Sequence, residues 1–419
     1  MPFRTALSGL NAASADLRVT GNNIANSGTV GFKESRAQFA DVFALSYGGI
    51  SQTAIGSGVR LSAVTQQFGQ GNIDFTGNNL DLALNGQGFF VLNDSGTQVY
   101  TRAGAFQVNR DGYVVNSEGQ RLQVFPPQDT IGDQFNTGLV TDLQLSTSEA
   151  PPRATSEVDA RLNLSASATA IDPAATPFDK MDPGTFHNST SVTVYDSLGQ
   201  AHTATLYFVK RPPVPGDPGI PWESYLTING QDVPSGGPTA SQELRFGPDG
   251  LLVDPTAPIS FGEFTPENGA DPLNIEFDLT NATQYGAAFN VTSLRQDGFT
   301  TGRLSGVDID PTGVVFARFT NGQAMSLGKV ALANFSNPQG LQQLGDNTWG
   351  ATFGAGDRIL GQADTGNFGL IQSGGLEASN VDIAQQLVNL ITAQRNFQAN
   401  AQVISTADTV TQTIINIRR

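Results

Sequence analysis

Few residues of this chain have the types and spacing that metal binding or catalysis requires. Residues 308–313, DIDPTG, begin like a calcium-binding loop. The twelfth position of that loop is Phe319, however, where calcium needs a glutamate that binds through both oxygens. A β-turn is the better interpretation. His187 and His202 are the only histidines, and no spacing around either one supports a zinc site or a histidine-based catalytic triad.

The other reactive groups of the chain give no support for a metal site or for catalysis either. The chain contains no cysteine, which excludes disulfides, thiolate metal sites and cysteine nucleophiles. A pair of acidic residues for glycoside cleavage is set by the fold, and the sequence singles out no such pair. Asn-X-Ser/Thr matches, such as those at Asn163, Asn188, Asn281 and Asn290, are expected by chance in a chain this rich in Asn, Ser and Thr. We therefore expect no catalytic residue, no cofactor and no metal, and predict that the protein is not an enzyme.

Charge is distributed unevenly along the chain. The net charge is −16, and the acidic excess lies in the middle, because residues 1–30 and 376–419 are close to neutral. No basic patch appears, so nucleic acid is an unsuitable partner. No apolar run reaches membrane-spanning length, and the N-terminus lacks the apolar core of a cleavable signal peptide. We expect neither membrane insertion nor export by that type of signal.

Both ends of the chain contain a heptad repeat of apolar residues. Near the start, apolar residues recur at Phe3, Leu10, Leu17 and Ile24, with Leu7 in the same stripe; near the end they recur at Ile383, Leu390, Phe397 and Ile404, with Leu387. Residues 376–419 contain neither Gly nor Pro, although the chain has 47 Gly and 22 Pro. Apolar stripes of this period need partner helices.

Two terminal helices follow from this pattern. The first is predicted over residues 3–25, and the second within residues 376–419, with Ser379 as its N-cap. We expect the apolar residues of the first stripe to bury against those of the second, as a coiled-coil-like pair, and to contact other copies of the chain. The pattern is typical of an assembly protein.

The sequence between the helices predicts β structure. Residues 106–125 and 307–332 each read as a meander of strands joined by Asn- or Asp-rich turns ending in Gly. Residues 151–284 hold most of the prolines and contain a separate hairpin, at 192–209, which indicates an inserted β domain. The predicted fold is mainly β with long terminal helices. Its parts are the paired helices (1–30 and 376–419), a first β domain (31–146 and 288–375) and an outer domain inserted into it (147–287).

Two long motifs carry a family resemblance. Residues 21–43, GNNIANSGTVGFKESRAQFADVF, and residues 374–408, GGLEASNVDIAQQLVNLITAQRNFQANAQVISTAD, resemble the common ends of bacterial flagellar axial proteins, the rod and hook subunits. The positions that match the first motif are Asn22, Asn23, Asn26, Gly31 and Phe32. Asparagine side chains there are expected to satisfy backbone groups where the first helix ends.

Within that family the chain is most similar to hook subunits. The similar segments are FADVFALSYGG at 39–49, LDLALNGQGFFVL at 80–92, SVTVYDSLGQAHTATLYF at 191–208 and GKVALANFSNPQGLQQLGDNTWGAT at 328–352. A distal rod subunit is the alternative within the family, but rod subunits are shorter and lack the inserted domain.

The resemblance implies a subunit that polymerises into the curved, flexible tube between the rotary motor and the filament. In it, the paired helices form the inner layer and line the export channel, the first β domain forms the wall, and the inserted domain lies outside. The implied partners are other copies, the distal rod, the hook cap, the hook–filament junction proteins and the flagellar type III export apparatus. The implied location is the flagellar hook at the cell exterior.

Two other classes of function remain as alternatives. A secreted β-rich adhesin or carbohydrate-binding module would explain the Gly-, Thr- and Asn-rich strands, but it has no need for heptad helices at both ends. No sequence motif supports the second alternative, an extracellular hydrolase.

Overall fold

The computed structural model describes residues 2–42, 56–128, 134–145, 149–213, 219–233 and 241–417. The chain divides into two compact units. Unit 1 comprises Met1–Thr147, Ser305–Arg318 and Ala324–Arg419, and unit 2 comprises Ser148–Leu304 and Phe319–Gln323. Residues 43–49 of the FADVFALSYGG segment lie outside the described residues, as does the predicted boundary at 146–147.

The secondary structure is mainly β, with one long helix at each end, as predicted. The first part of the chain forms helix α1 (Pro2–Ala25) and the strands β1 (Ser35–Asp41), β2 (Val59–Gln66), β3 (Ile73–Phe75), β4 (Leu82–Asn85), β5 (Phe89–Asp94), β6 (Thr97–Thr101), β7 (Gln107–Val108), β8 (Val114–Val115), β9 (Arg121–Phe125) and β10 (Thr141–Asp142). The middle forms β11 (Glu157–Ser165), β12 (Asn188–Tyr195), β13 (Ala201–Lys210), β14 (Ile220–Ile228), β15 (Gln231–Asp232), β16 (Gln242–Phe246), β17 (Leu252–Asp254), β18 (Ile259–Phe264), β19 (Leu273–Asp278), β20 (Thr283–Tyr285) and β21 (Asn290–Gln296). The last part forms β22 (Leu304–Ile309), β23 (Val314–Phe319), β24 (Ala324–Val330), β25 (Leu332–Phe335), β26 (Gln342–Gly345), β27 (Thr348–Gly350), β28 (Arg358–Gly361), β29 (Leu370–Ser373), β30 (Gly375–Glu377) and helix α2 (Ile383–Ile417). Short 3-10 helices lie at Pro183–Thr185, Pro338–Gly340 and Phe353–Ala355.

The first helix ends where the sequence predicts, but the second begins later. Helix α2 starts at Ile383, and its cap is Asp382, whose carboxylate accepts hydrogen bonds from the backbone of Ala384 at 2.9 Å and Gln385 at 3.2 Å. The prediction of Ser379 as the N-cap is therefore wrong, and residues 376–382 precede the helix. Residues Gly375–Glu377 form β30 instead, because they pair with β3.

Both predicted meanders are confirmed and share one sheet. Strands β7, β8 and β9 pair in antiparallel order, and β24 pairs with β9, which joins the two meanders in unit 1. The turn at Asp310 is a β-turn, as predicted. The Asp310 carboxylate accepts hydrogen bonds from the Thr312 hydroxyl and the Val314 backbone, both at 2.8 Å, and Gly313 takes a positive φ of 85°.

Aromatic side chains fill part of the core of unit 1. Phe89 contacts Phe335 and Trp349 edge to face, with ring centroids 6.2 and 5.7 Å apart, and Tyr100 contacts Phe335 at 4.8 Å. Such contacts add to the burial of apolar area and fix the relative positions of the strands that carry them.

Unit 2 is built from two sheets around one apolar core. One sheet has the order β18-β19-β11-β20, with β21 on β11, and the other has the order β12-β13-β14-β16-β17. Strand β11 alternates buried and less buried residues, and its buried face packs with Phe208, Trp222, Phe246 and Phe277. Strand β21 pairs with β11 along most of its length, so unit 2 extends to Leu304, beyond the predicted limit at residue 287.

Asp297 stabilises the start of strand β11 in unit 2. Its carboxylate accepts hydrogen bonds from the Ser156 hydroxyl at 2.6 Å, from the backbone of Ser156 at 2.8 Å and Glu157 at 2.9 Å, and from Arg153 at 2.9 Å. Partial burial raises the pKa of Asp297, but these hydrogen bonds and the charge of Arg153 outweigh it and hold the pKa below its usual range.

We expect Asp297→Asn to weaken unit 2 at neutral pH and to reduce its sensitivity to acid. A carboxylate with a lowered folded-state pKa stabilises the protein fully above the unfolded-state pKa, about 4. That stabilisation is lost as the pH falls through the folded-state pKa. Urea unfolding of both proteins at about pH 7 and pH 3 checks this. Equal losses of stability in acid for the two proteins would contradict the role of Asp297.

Candidate assembly surface

The two terminal helices pack against each other through small residues. Ala6 and Ala13 of α1 and Ala393 of α2 are buried in this contact. Gly9 touches Asn400, and a Cβ atom on Gly9 would lie only 2.4 Å from the Asn400 side-chain oxygen. The direction is antiparallel, since Gly9 meets Asn400 while Asn23 meets Gln386 near the start of α2.

The large heptad residues are not buried against one another within the chain, which corrects that expectation. Phe3 and Leu7 are 41% and 52% exposed, and Ile383 and Leu387 are 50% and 47% exposed. The others are half-buried beside the contact: Leu10, Leu17, Ile24, Leu390, Phe397 and Ile404. Small residues form the contact because they let the two backbones approach closely.

Heptad geometry places these large residues on one side of the helix pair. In α1, Leu10 and Leu17 each precede a small contact residue, Ala13 and Thr20, by three positions. The same offset relates Leu390 to Ala393 and Phe397 to Asn400 in α2. In an antiparallel pair, equal offsets from the contact stripe lie on the same side. Phe3 and Ile383 have the same offset from Ala6 and Gln386, and Leu7 and Leu387 follow those two residues by one position on the same side. We call this side the apolar flank, formed by Phe3, Leu7, Leu10, Leu17, Ile24, Ile383, Leu387, Leu390, Phe397 and Ile404.

Other apolar side chains extend the exposed surface towards the end of α2. Phe3 lines an open groove with Val403 and Val410, and Ile414 and Ile415 are both exposed. Helix α2 has 35 residues and α1 has 24, so the last turns of α2 continue beyond the start of α1. An exposed apolar surface of this kind is typical of a protein–protein contact.

A cluster of polar side chains lies at the other end of the helix pair, where α1 ends and α2 begins. The amide nitrogen of Asn23 donates to the Gln386 side chain at 3.2 Å and to the Ser35 carbonyl at 2.8 Å, and its oxygen accepts from the Ser35 backbone at 2.9 Å. Gln386 in turn donates to Glu34 at 2.8 Å. Asn23 and Gln386 are both buried, so these bonds replace those with water.

The remaining motif residues shape the end of α1. The Asn26 amide donates to the backbone and side-chain oxygens of Asn22, at 3.0 and 2.6 Å. Gly31 takes a φ of 69°, and a Cβ atom there would lie 2.5 Å from the Ala103 backbone nitrogen, so glycine is required. Phe32 is buried.

A buried ion cluster holds both ends of the chain on unit 1. Glu377 in β30 is fully buried and receives Lys33 at 2.6 Å, Arg102 at 3.3 Å and the Gly71 backbone at 2.9 Å. Lys33 also donates to the Gly69 carbonyl at 2.8 Å. Burial lowers the pKa values of Lys33 and Arg102, and the negative charge of Glu377 opposes this. The cluster fixes the segments leading into α2 and out of α1.

Nearby, Asn380 joins the same segments. Its side-chain oxygen accepts from the Glu34 backbone at 2.7 Å, and its nitrogen donates to the Gln67 and Gly69 carbonyls at 2.8 and 3.1 Å. Sequence reasoning missed the role of Lys33, Glu377 and Asn380, although all three lie within the two family motifs. The signal for Glu377 was a single charge in residues 374–381, a segment with no other charged residue.

Both histidines lie in unit 2 with their ring nitrogens engaged. His187 accepts from the Lys210 backbone at 3.1 Å and contacts the Thr169 carbonyl at 2.7 Å. His202 contacts Asp196 at 3.0 Å and the Asn229 amide at 2.7 Å. Within the described residues, no three His, Asp or Glu side chains are grouped closely enough to hold a metal ion. None of the described helices is both long and apolar enough to cross a membrane.

Family models match four segments of the chain. They are described as flagella basal body rod protein (residues 3–33), flagellar hook protein FlgE/F/G D1 domain (83–156), flagellar basal body protein FlaE D2 domain (163–299) and flagellar basal body rod FlgEFG protein C-terminal (372–417). The first and last of these cover most of α1 and α2.

Similar proteins and a solved structure agree with these matches. The flagellar hook protein FlgE of Escherichia coli (strain K12) is 39% identical over 100% of both chains, and that of Borreliella burgdorferi is 31% identical over 99% of this chain and 98% of its own. A crystal structure of Helicobacter pylori flagellar hook protein FlgE2 has a TM-score of 0.56 and 14% identity, covering 73% of this chain and 100% of that chain, and supports the fold alone. From its similarity to FlgE proteins over its whole length, the chain belongs to the flagellar hook protein family.

Proposed function

We propose that this protein is the structural subunit of the bacterial flagellar hook. It polymerises into a curved, flexible tube that serves as a universal joint between the rod and the filament and encloses the export channel. The observation that carries this proposal is the apolar flank, together with the exposed end of α2. Membership of the flagellar hook protein family supports it.

Each part of the chain has a place in the proposed tube. The helix pair forms the innermost layer, because its apolar flank needs the helices of neighbouring copies to remove it from water. Unit 1 forms the wall, and the acidic unit 2 lies outside. The predicted assembly residues Phe3, Leu7, Ile383 and Leu387 are those that gain most from contact with another copy, since about half of each side chain is exposed.

The proposed partners follow from this location. Besides other copies, they are the distal rod, the hook cap, the hook–filament junction proteins and the flagellar type III export apparatus. We further propose that the protein reaches the cell exterior without a cleavable signal peptide.

The protein acts without catalysis in this proposal. A histidine that acts as a general base needs a free ring nitrogen within reach of a substrate proton. His187 and His202 instead use both ring nitrogens in hydrogen bonds within unit 2. His202 supports the turn at Asp196, whose carboxylate also accepts from the backbone of Leu198 and Gln200.

Electron microscopy of the purified protein over a series of concentrations tests this proposal. We expect monomers in dilute solution and tubes above a critical concentration. A protein that stays monomeric at every concentration and binds glycans would support the adhesin alternative instead. Turnover of a substrate by the monomer would support the hydrolase.

A further inference from the structure

The heptad repeat of the two terminal helices does not by itself determine their register. The contact residues of α1 recur at Ala6, Ala13 and Thr20, and those of α2 at Gln386, Ala393, Asn400 and Ala407, all with a period of seven. Sliding one helix by one heptad, about 10 Å, would again place small residues mainly against small residues. Apolar packing alone therefore permits more than one antiparallel register.

Two contacts distinguish the observed register from the slipped ones. Asn23 donates to Gln386 at 3.2 Å, and the Asn400 side chain lies over Gly9. The two contacts are two heptads apart on each helix, in opposite directions, so both occur together in only one antiparallel register. We infer that Asn23 and Gly9 specify the register of the terminal helix pair.

The contact at Asn23 acts through hydrogen bonding. Asn23 and Gln386 are both buried, and Gln386 is held by Glu34 at 2.8 Å. After a slip of one heptad, Asn23 would face Ala393, which offers no side-chain acceptor. A buried amide without its partner is costly, and a single buried asparagine is known to fix register in coiled coils.

The contact at Gly9 depends on the room that the absence of a side chain leaves for Asn400. Glycine is unfavourable inside a helix, yet here it leaves room for the Asn400 amide, which also donates to the Asn396 carbonyl at 2.8 Å. In the slipped register in which Asn23 faces Ala393, Asn400 would face Asp16, whose side chain would occupy that room. Gly21 in the same helix has nothing within 4 Å of the place where a Cβ atom would lie.

Register matters for the proposed assembly because it sets which turns of α2 extend beyond α1. A slip would move Val410, Ile414 and Ile415 by about 10 Å relative to the apolar residues of α1. This inference deepens the proposed function and rests on it for that consequence. The register itself is a property of the monomer, so it can be measured without any polymer.

Engineered cysteines in the full-length chain report the register directly, because the protein has no cysteine of its own. Thr20 and Asn389 line the same cleft, so Thr20→Cys with Asn389→Cys reports the observed register. Thr20→Cys with Asn396→Cys reports the register slipped by one heptad, since a disulfide cannot bridge Cα atoms more than about 7 Å apart. Oxidation is carried out in dilute monomer.

We expect only the first pair to form a disulfide in the parent chain. In the background Asn23→Leu with Gly9→Ala, the yield of the slipped disulfide relative to the first should rise by about tenfold or more. This is the expected result when the helix pair loses both contacts that distinguish the observed register. The matched background is Asn11→Leu with Gly21→Ala, at an exposed asparagine and an unobstructed glycine, and it should behave like the parent.

A second variant moves the opening for Asn400 to another position of α1 instead of filling it. Gly9→Ala with Asp16→Gly and Asn23→Leu places the only opening for Asn400 one heptad further along α1, and it should favour the slipped disulfide. If both variants keep the parent pattern, the ion cluster at Glu377 alone fixes the register and the inference is wrong. Failure of the intact parent to form tubes would instead count against the proposed function and leave the disulfide result standing.

Discussion

Leu387→Asp is expected to abolish tube formation while leaving the monomer folded. Leu387 is about half exposed in the single chain, so a carboxylate there stays hydrated and costs the monomer little. In the proposed polymer the same carboxylate is buried without a partner, at a cost of at least about 3 kcal/mol per subunit. The critical concentration should therefore rise by about a hundredfold or more. Phe397→Asp should have the same effect but should also disturb the helix pair, because Phe397 is half-buried beside α1.

The matched control is Leu198→Asp, which makes the same substitution at an exposed leucine of unit 2. It should leave assembly intact, and so should the charge reversal Glu267→Lys, which changes mainly the salt dependence or curvature of the tubes. Sedimentation and electron microscopy at two salt concentrations measure both effects. Normal tubes from Leu387→Asp, with none from Leu198→Asp, would place the assembly energy in unit 2 and contradict the account.

Glu377→Ala is expected to destabilise unit 1 by about 3–5 kcal/mol, the usual cost of breaking a buried ion pair by removing one partner. The loss leaves Lys33 and Arg102 buried with carbonyl groups as their remaining partners. Burial already lowers the pKa values of both groups, which indicates how unfavourable their charges are without Glu377. Urea unfolding gives the change in free energy.

The double variant Lys33→Met with Glu377→Met provides the control for this second prediction. It replaces the Lys33–Glu377 pair by apolar side chains of similar length and should recover part of the lost stability. The remaining loss is due to Arg102, which stays buried with only carbonyl oxygens as partners. A loss below about 1 kcal/mol for Glu377→Ala would mean that the cluster contributes little to holding the terminal segments.

Local signals in the sequence were sufficient for much of the fold. The end of α1 at Ala25 and the turns at residues 109–112 and 310–313 depend on nearby Asn, Asp and Gly residues, and all were predicted correctly. The start of α2 was not, because Leu376 and Glu377 have high helix propensity but pair with β3, some 300 residues earlier. A tertiary contact there overrides helix propensity.

The candidate surface shows a similar limit. Two stripes of equal period lie side by side on each helix, one of large residues such as Leu390 and one of small residues such as Ala393. Periodicity identifies both stripes but does not say which one faces the partner helix, and the large stripe was the wrong choice within the chain. Lys33 and Glu377 are 344 residues apart, so no local pattern indicates that their charges meet.

Cysteine labelling at Leu387 tests the central claim most directly. In a Leu387→Cys chain, maleimide should react quickly with the monomer, where this side chain is exposed, and at least about tenfold more slowly with assembled tubes, where the apolar flank is buried. Leu198→Cys in unit 2 should react at similar rates in both states. Equal labelling of Leu387→Cys in monomer and tube would show that the apolar flank stays open to water in the polymer and would contradict the account.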